Sequence, residues 1–157
     1  MSKMDFTIVE NKESMTIFGI FKKSNDKLQT KDIPELSKKY YKTVNKNNGE
    51  VIPFFVVSRD YDKDTKDFQL FIGGSIENAN LDTLTIPKGL YGKVTIKPKL
   101  GFLWGLSIGA AKRAFYTDWL LQSDYTPLNM EYEYHTEISK GKNPQIDILF
   151  AVKKQND

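Results

Sequence analysis

Apolar residues fall along this chain in two rhythms. Short runs with period two, or with apolar residues on both sides, alternate with segments where they recur every three or four positions. Residues 6–10 (FTIVE) read as a short strand, and residues 14–22 (SMTIFGIFK) as a stronger one, rich in Ile, Phe and Thr. The polar stretch 24–31 reads as a loop. Asp32 stands where a helix cap is needed, and Ile33, Leu36, Tyr40 and Val44 then line one helical face. The polar run 45–49 ends this helix, with Gly49 supplying a left-handed residue. Residues 51–58 (VIPFFVVS) are apolar on both faces, as in a central strand, although Pro53 points to an edge or a bulge. A charged turn, 60–66, leads into a returning strand, 68–76 (FQLFIGGSI). Its Gly73-Gly74 pair marks a bulge or a close backbone approach.

The same order follows in the second half. Residues 90–97 read as a strand, 98–101 as a break and 102–122 as a long helix. The helix stripe runs through Leu103, Leu106, Ala110, Ala111, Ala114, Phe115 and Trp119. A turn at 124–129, a strand at 130–136, a turn at 139–143 and a last strand at 146–153 complete the chain. Each half therefore reads strand–helix–strand–strand, about 5–77 and 86–154, within one domain spanning 1–157. The expected fold is α+β: one mainly antiparallel sheet with both helices on one side, the other side being left to a partner, solvent or a ligand.

Composition removes many chemistries. The chain has 157 residues, no cysteine and a single histidine, His135. Disulfides, thiolate metal sites, cysteine nucleophiles and multi-histidine centres are excluded, so no metal or cofactor is expected. No apolar run approaches the ~20 residues that span a bilayer. The polar start lacks a signal-peptide core. The expectation is an intracellular, cytoplasmic protein away from membranes. With 23 Lys plus Arg against 20 Asp plus Glu, the net charge of +3 is not the basic stripe of a nucleic-acid binder. Only Arg59 and Arg113 are arginine, the residue that does most base and phosphate recognition. There is no Walker A loop and no nucleophile elbow. Aromatics are abundant, at 13% of residues.

The strand 128–135 carries the most suggestive pattern. Strict alternation puts Leu128, Met130, Tyr132 and Tyr134 on one face and Asn129, Glu131, Glu133 and His135 on the other. Two carboxylates sharing a strand face are either solvated or turned toward a cation or proton in a cavity. Tyr91 shares a face with Lys93 and Thr95, where a ring can wall a pocket. Trp104 stands at the start of the second helix, as core or as pocket wall, and Trp119 lies on the helix stripe. His135, with no Ser or Asp motif around it, reads as a strand-end residue rather than a base.

Several of these segments together resemble the GyrI-like domain, the effector-binding domain of bacterial drug-responsive transcription activators. Residues 14–22 are similar to its opening strand, and 68–76 to its aromatic-x-x-x-x-Gly hairpin strand. Residues 86–91 (IPKGLY) resemble the I-P-x-G-x-Y opening of its second half. Residues 118–125 (DWLLQSDY) resemble W-L-x-x-S-G-Y, with Asp124 in place of Gly. Residues 130–134 (MEYEY) look like its aromatic-Glu strand, and 147–152 like its closing D-I-x-I-P-V strand, with Ala151 for Pro. The resemblance implies a pocket near a pseudo-twofold on the open face of the sheet. Such pockets take bulky, flat, cationic or apolar compounds between stacked rings and a buried acid. Glu131 and Glu133 are the two candidates for that acid. Tyr91, Trp104, Tyr132, Tyr134, Phe54 and Phe71 are candidate walls. The chain lacks room for a helix-turn-helix and is expected to act alone, on lipophilic or cationic aromatic small molecules. The family also implies two other functions: hydrolysis of electrophilic compounds by the pocket glutamate, or inhibitory binding to a protein.

Overall fold

A computed structural model describes residues 4–45, 53–97, 104–136 and 144–156. In chain order the elements are β1 (Thr7–Asn11), β2 (Met15–Asn25), α1 (Gln29–Thr43), β3 (Phe54–Arg59), β4 (Asp67–Gly74), β5 (Asp82–Ile86), β6 (Gly89–Ile96), α2 (Trp104–Arg113), β7 (Tyr125–His135) and β8 (Ile146–Lys154). All eight strands form one antiparallel sheet in the order β1-β6-β8-β7-β3-β4-β2-β5. The expected α+β class with a mainly antiparallel sheet is what the chain adopts. β3 and β7 meet at the centre, with β4 then β2 outside one and β8 then β6 outside the other. β1 completes the edge beside β6, and β5 completes the edge beside β2.

Both helices lie on the same face. Val56 pairs with Glu133 and Ile72, and Glu133 pairs with Ile148, so these four side chains share a face. Leu36, Tyr40 and Tyr41 of α1 pack on Val56, Leu70 and Ile72. Ala111 and Phe115 pack on Ile148, Phe150 and Val94. Phe115 is fully buried and stacks on Phe150 with ring centroids 4.1 Å apart. Gly92 makes this possible, since a Cβ there would come 2.8 Å from the Phe115 ring. On the opposite face the sheet curls into a half-barrel whose interior holds Ile17, Phe55, Val57, Phe71, Ile86, Tyr91 and Tyr132 as one buried cluster.

Local details revise the sequence reading. Asp32 does not cap α1, which starts three residues earlier. The side chain is buried, accepts a hydrogen bond from Ser24 Oγ at 2.8 Å and pairs with Lys22 Nζ at 2.8 Å. Asn45, with φ of 60°, supplies the left-handed residue after α1; Gly49 lies outside the described residues. Residues 51–52 of the apolar run also lie outside them, as does the turn at 139–143. β5 is an element that the pattern does not predict. The second helix leaves α geometry at Ala114, runs as a π-helix to Trp119 and ends in a 3-10 turn, Leu120–Gln122. The strand expected at 130–136 starts instead at Tyr125. It contains a bulge between Pro127 and Glu131, where Asn129 takes φ of 56°. Strict alternation therefore holds only from Met130 onward, and Leu128 is exposed. The Asn129 side chain fixes the bulge by accepting from Tyr61 N at 2.9 Å and donating to Tyr61 O at 3.1 Å.

The Gly73 expectation of a close backbone approach holds. Gly73 pairs with Gly19, and a Cβ on Gly73 would run into the Phe18 carbonyl. Gly73→Ala is expected to abolish or severely weaken folding, because the obstacle is backbone. Gly109 in α2 is different: a Cβ added there would meet nothing within 4 Å. Gly109→Ala should therefore be stabilising by up to ~1 kcal/mol. Paired denaturant melts compare the two. The Lys22 ammonium, then the Ser24 hydroxyl, hold the Asp32 carboxyl below its ordinary value of 3.8. A depressed acid contributes stability above its unfolded value and loses it as pH falls through the folded one. Asp32→Ala should therefore lower Tm at neutral pH, and the gap from wild type should close in strong acid.

Candidate functional site

The phase of β7 decides where the acids go. Beyond the bulge, Glu131 pairs with Ser58 and Phe150, and Glu133 with Val56 and Ile148. Both carboxylates therefore point to the face that carries the helices, at the centre of the sheet, between the areas covered by α1 and α2. The sequence reading places the acid in a cleft on the face away from the helices; the structure puts it on the helix side. Tyr132 and Tyr134 project oppositely, as alternation requires.

Glu131 is the more unusual of the two. Its Oε1 lies 3.8 Å from Nζ of Lys112 on α2. Its Oε2 is buried and has no hydrogen-bond partner among the described residues. Burial raises its carboxyl above the usual range; Lys112 opposes the rise and Glu133 adds to it. For Lys112, burial alone would lower the ammonium's pKa. The charges of Glu131, Glu133 and Asp26 outweigh that effect and raise it. At this separation, with an effective dielectric of ~20, such a pair attracts by about 4 kcal/mol, against a desolvation cost of several kcal/mol for each ion. The pair is close to break-even, and the acid without a cation would be costly. Tyr116, one helical turn after Lys112, has its hydroxyl pKa raised by burial and by the charge on Glu131.

Glu133 is nearly fully buried and its Oε1 lies 3.2 Å from His135 Nε2. The His135 ring stacks on Phe54, with centroids 4.5 Å apart and planes 5° from parallel. Phe54 meets Tyr41 of α1 edge-on at 6.0 Å. Tyr40 beside it is fully buried; its hydroxyl has no partner among the described residues, and burial pushes its pKa up to about 12.

Of the sequence candidates, the structure brings Glu131, Glu133 and Phe54 onto one face. Tyr91, Phe71, Tyr132 and Tyr134 lie on the other, inside or against the half-barrel core. There Tyr91 donates to the Pro87 carbonyl at 2.6 Å, and Asn11 Nδ2 donates to the Tyr132 hydroxyl at 3.1 Å. Trp104 opens α2, and its side chain lies outside what the structure describes. Sequence reasoning missed Lys112, Tyr116 and Tyr41. Lys112 and Tyr116 are four apart, flanking the stripe residues Ala111 and Phe115, and that spacing was the available signal. A separate open groove of about 520 Å³ near the β3–β4 turn contains neither glutamate, and its Lys23 is already paired with Asp67 at 3.4 Å. Among the described residues no cluster could hold a metal ion, and no helix is long and apolar enough to cross a membrane.

Residues 7–152 match the Cass2 family, described as integron-associated effector binding protein. The chain belongs to this family, in agreement with the GyrI-like resemblance, and effector binding is the family's class of function. Its fold is shared by several solved structures. The protein SAV2435 bound to tetraphenylphosphonium has a TM-score of 0.69 at 15% identity, over 96% of this chain and 94% of that one. The integron cassette protein from the mobile metagenome of Vibrio cholerae has a TM-score of 0.67 at 13% identity, over 94% and 95%. The C-terminal domain of EcmrR has a TM-score of 0.62 at 16% identity, over 96% and 98%. No curated protein sequence matches the chain.

The electrostatics of the acid can be measured directly. Carbon-detected NMR should find the Glu131 carboxyl titrating above its ordinary value of 4.5. In a Lys112→Met variant it should titrate higher still, because the opposing charge has gone. A Glu131 carboxyl that titrates normally would contradict the buried setting described above.

Proposed function

We propose that this chain binds bulky aromatic cations on the helix face of its sheet, between α1 and α2. Glu131 and Glu133 are the counter-charge, and Phe54, Tyr41 and Tyr116 are the walls. The observation that carries this reading is the buried, unpartnered Oε2 of Glu131. A desolvated carboxylate oxygen has an uncompensated cost that an incoming cation relieves, so the site discriminates for positive charge. Rings flanking the acid add cation–π attraction of about 0.5–2 kcal/mol each and tolerate varied flat shapes. Membership in an effector-binding family and the tetraphenylphosphonium-bound SAV2435 support the same class of ligand. In this reading the whole chain is one binding unit. Two halves, about 5–77 and 86–154, meet at the β3–β7 junction, and the acids sit beside that junction. Tyr91, Phe71, Tyr132 and Tyr134 then serve the core of the opposite face.

Titration with tetraphenylphosphonium, followed by calorimetry, is expected to show saturable binding at micromolar concentrations. Glu131→Gln should weaken it at least about tenfold, and Glu133→Gln by less. Since only the ionised acid attracts a cation, affinity should be highest at alkaline pH. It should fall as pH drops through the raised Glu131 range, at higher pH than an exposed carboxylate would dictate. Lys112, Glu133, His135, Tyr116 and Asp26 are the titratable groups that bear on this profile. Absence of saturable binding, or binding indifferent to both Gln variants, would sink the proposal.

A further inference from the structure

Resting on the reading above, we infer that Lys112 is the specificity-determining residue of this site. Its ammonium stands beside Glu131, where a ligand's cation would sit. It therefore selects ligands that carry an anionic or acceptor group next to their cationic one. The argument begins with charge order. On this face Glu131 lies against the Lys112 ammonium and Glu133 against His135, and Asp26 is close enough to add to the negative field on Lys112.

A cation without polar groups, entering toward Glu131 Oε2, meets Lys112 as a like charge within the same low-dielectric space. Lys112 cannot relieve this by losing its proton, because Glu131, Glu133 and Asp26 favour the charged form. Nor is the lysine backbone free to move away. Its neighbours Ala111 and Phe115 are fully buried against the sheet and hold this stretch of helix over β8 and β6. The stem has four rotatable carbons, so the ammonium can turn toward a ligand group beside Glu131, while the fixed backbone and the pull of Glu131 keep it next to the acid. A zwitterionic ligand uses that freedom. Its positive group faces Glu131 and Glu133, its negative group receives Lys112, and every charge in the site keeps an opposite neighbour. Rejection of the unmatched cation by a repulsive charge is one of the means by which a site separates similar ligands.

The test uses a matched pair of probes, tetraphenylphosphonium and its para-carboxyphenyl analogue, which is a zwitterion at neutral pH. Calorimetry on wild type should find the zwitterion bound roughly tenfold more tightly than the plain cation. Lys112→Met should reverse the order, strengthening the plain cation at least about tenfold and weakening the zwitterion. The plain-cation gain should vanish in the Glu131→Gln background, since it arises from that acid. If Lys112→Met melts early, Lys112→Gln carries the same comparison with a neutral polar side chain. Unchanged plain-cation affinity in a folded Lys112 variant would overturn the inference while leaving the binding site intact. Failure of both probes to bind wild type and variant alike would instead remove the underlying reading.

Discussion

The pairing of β3 with β7 is the constraint on which the rest of this structure depends. It joins the α1 side of the sheet to the α2 side, and it does so at the sheet's centre, where every strand has two neighbours. Because Val56 must sit opposite Glu133, and Ser58 opposite Glu131, this register also decides which face the acids take. A slip of one residue would bury Tyr132 and Tyr134 under the helices and turn both glutamates into the half-barrel core. The Asn129 bulge and its clasp on Tyr61 protect against such a slip. They tie the start of β7's regular stretch to the end of β3. A feature that looks like a flaw in a strand thus sets the phase of the acids.

Placing carboxylates at the midline of the sheet, between two apolar areas, has a further effect. The two helices each cover an apolar cluster of their own, one built on β3 and β4, the other on β6 and β8. Over β7 the surface is polar, so neither helix gains by spreading across it. The division of the helix layer into two separate packing areas follows from two residues on one strand. Lys112 is the exception that spans the gap, and it does so as a charge rather than as a packing contact.

Much of this is legible from pattern. The strands at 14–22, 68–76, 90–97 and 146–153 and the helix stripe through Leu36 and Tyr40 follow directly from where apolar residues recur. The motifs along the chain carry the family. Other features are not legible, for physical reasons. β5 is only five residues long and three of them are polar, so its alternation does not rise above that of a loop. Asp32 has the chemistry of both a cap and a buried ion-pair acid, and only the position of Lys22 distinguishes them. Alternation shows that Glu131 and Glu133 share a face, yet parity alone does not say which face the helices will choose. That is why a reading by sequence groups the rings of Tyr132, Tyr91 and Phe71 with acids they do not meet. The spacing of Lys112 and Tyr116 beside the helix stripe is a faint local mark, but it does not reveal that the partner of Lys112 lies on β7.

The edge strands have a consequence for how the molecule comes into being. β1 precedes the other strands of this sheet in the chain, but it hydrogen-bonds to β6, and β5 returns to β2. During synthesis β1 therefore waits for its partner through all of β2 to β5. Its ladder can close only once β6 has emerged. Such late, long-range closure slows folding and leaves an open strand edge in the nascent chain.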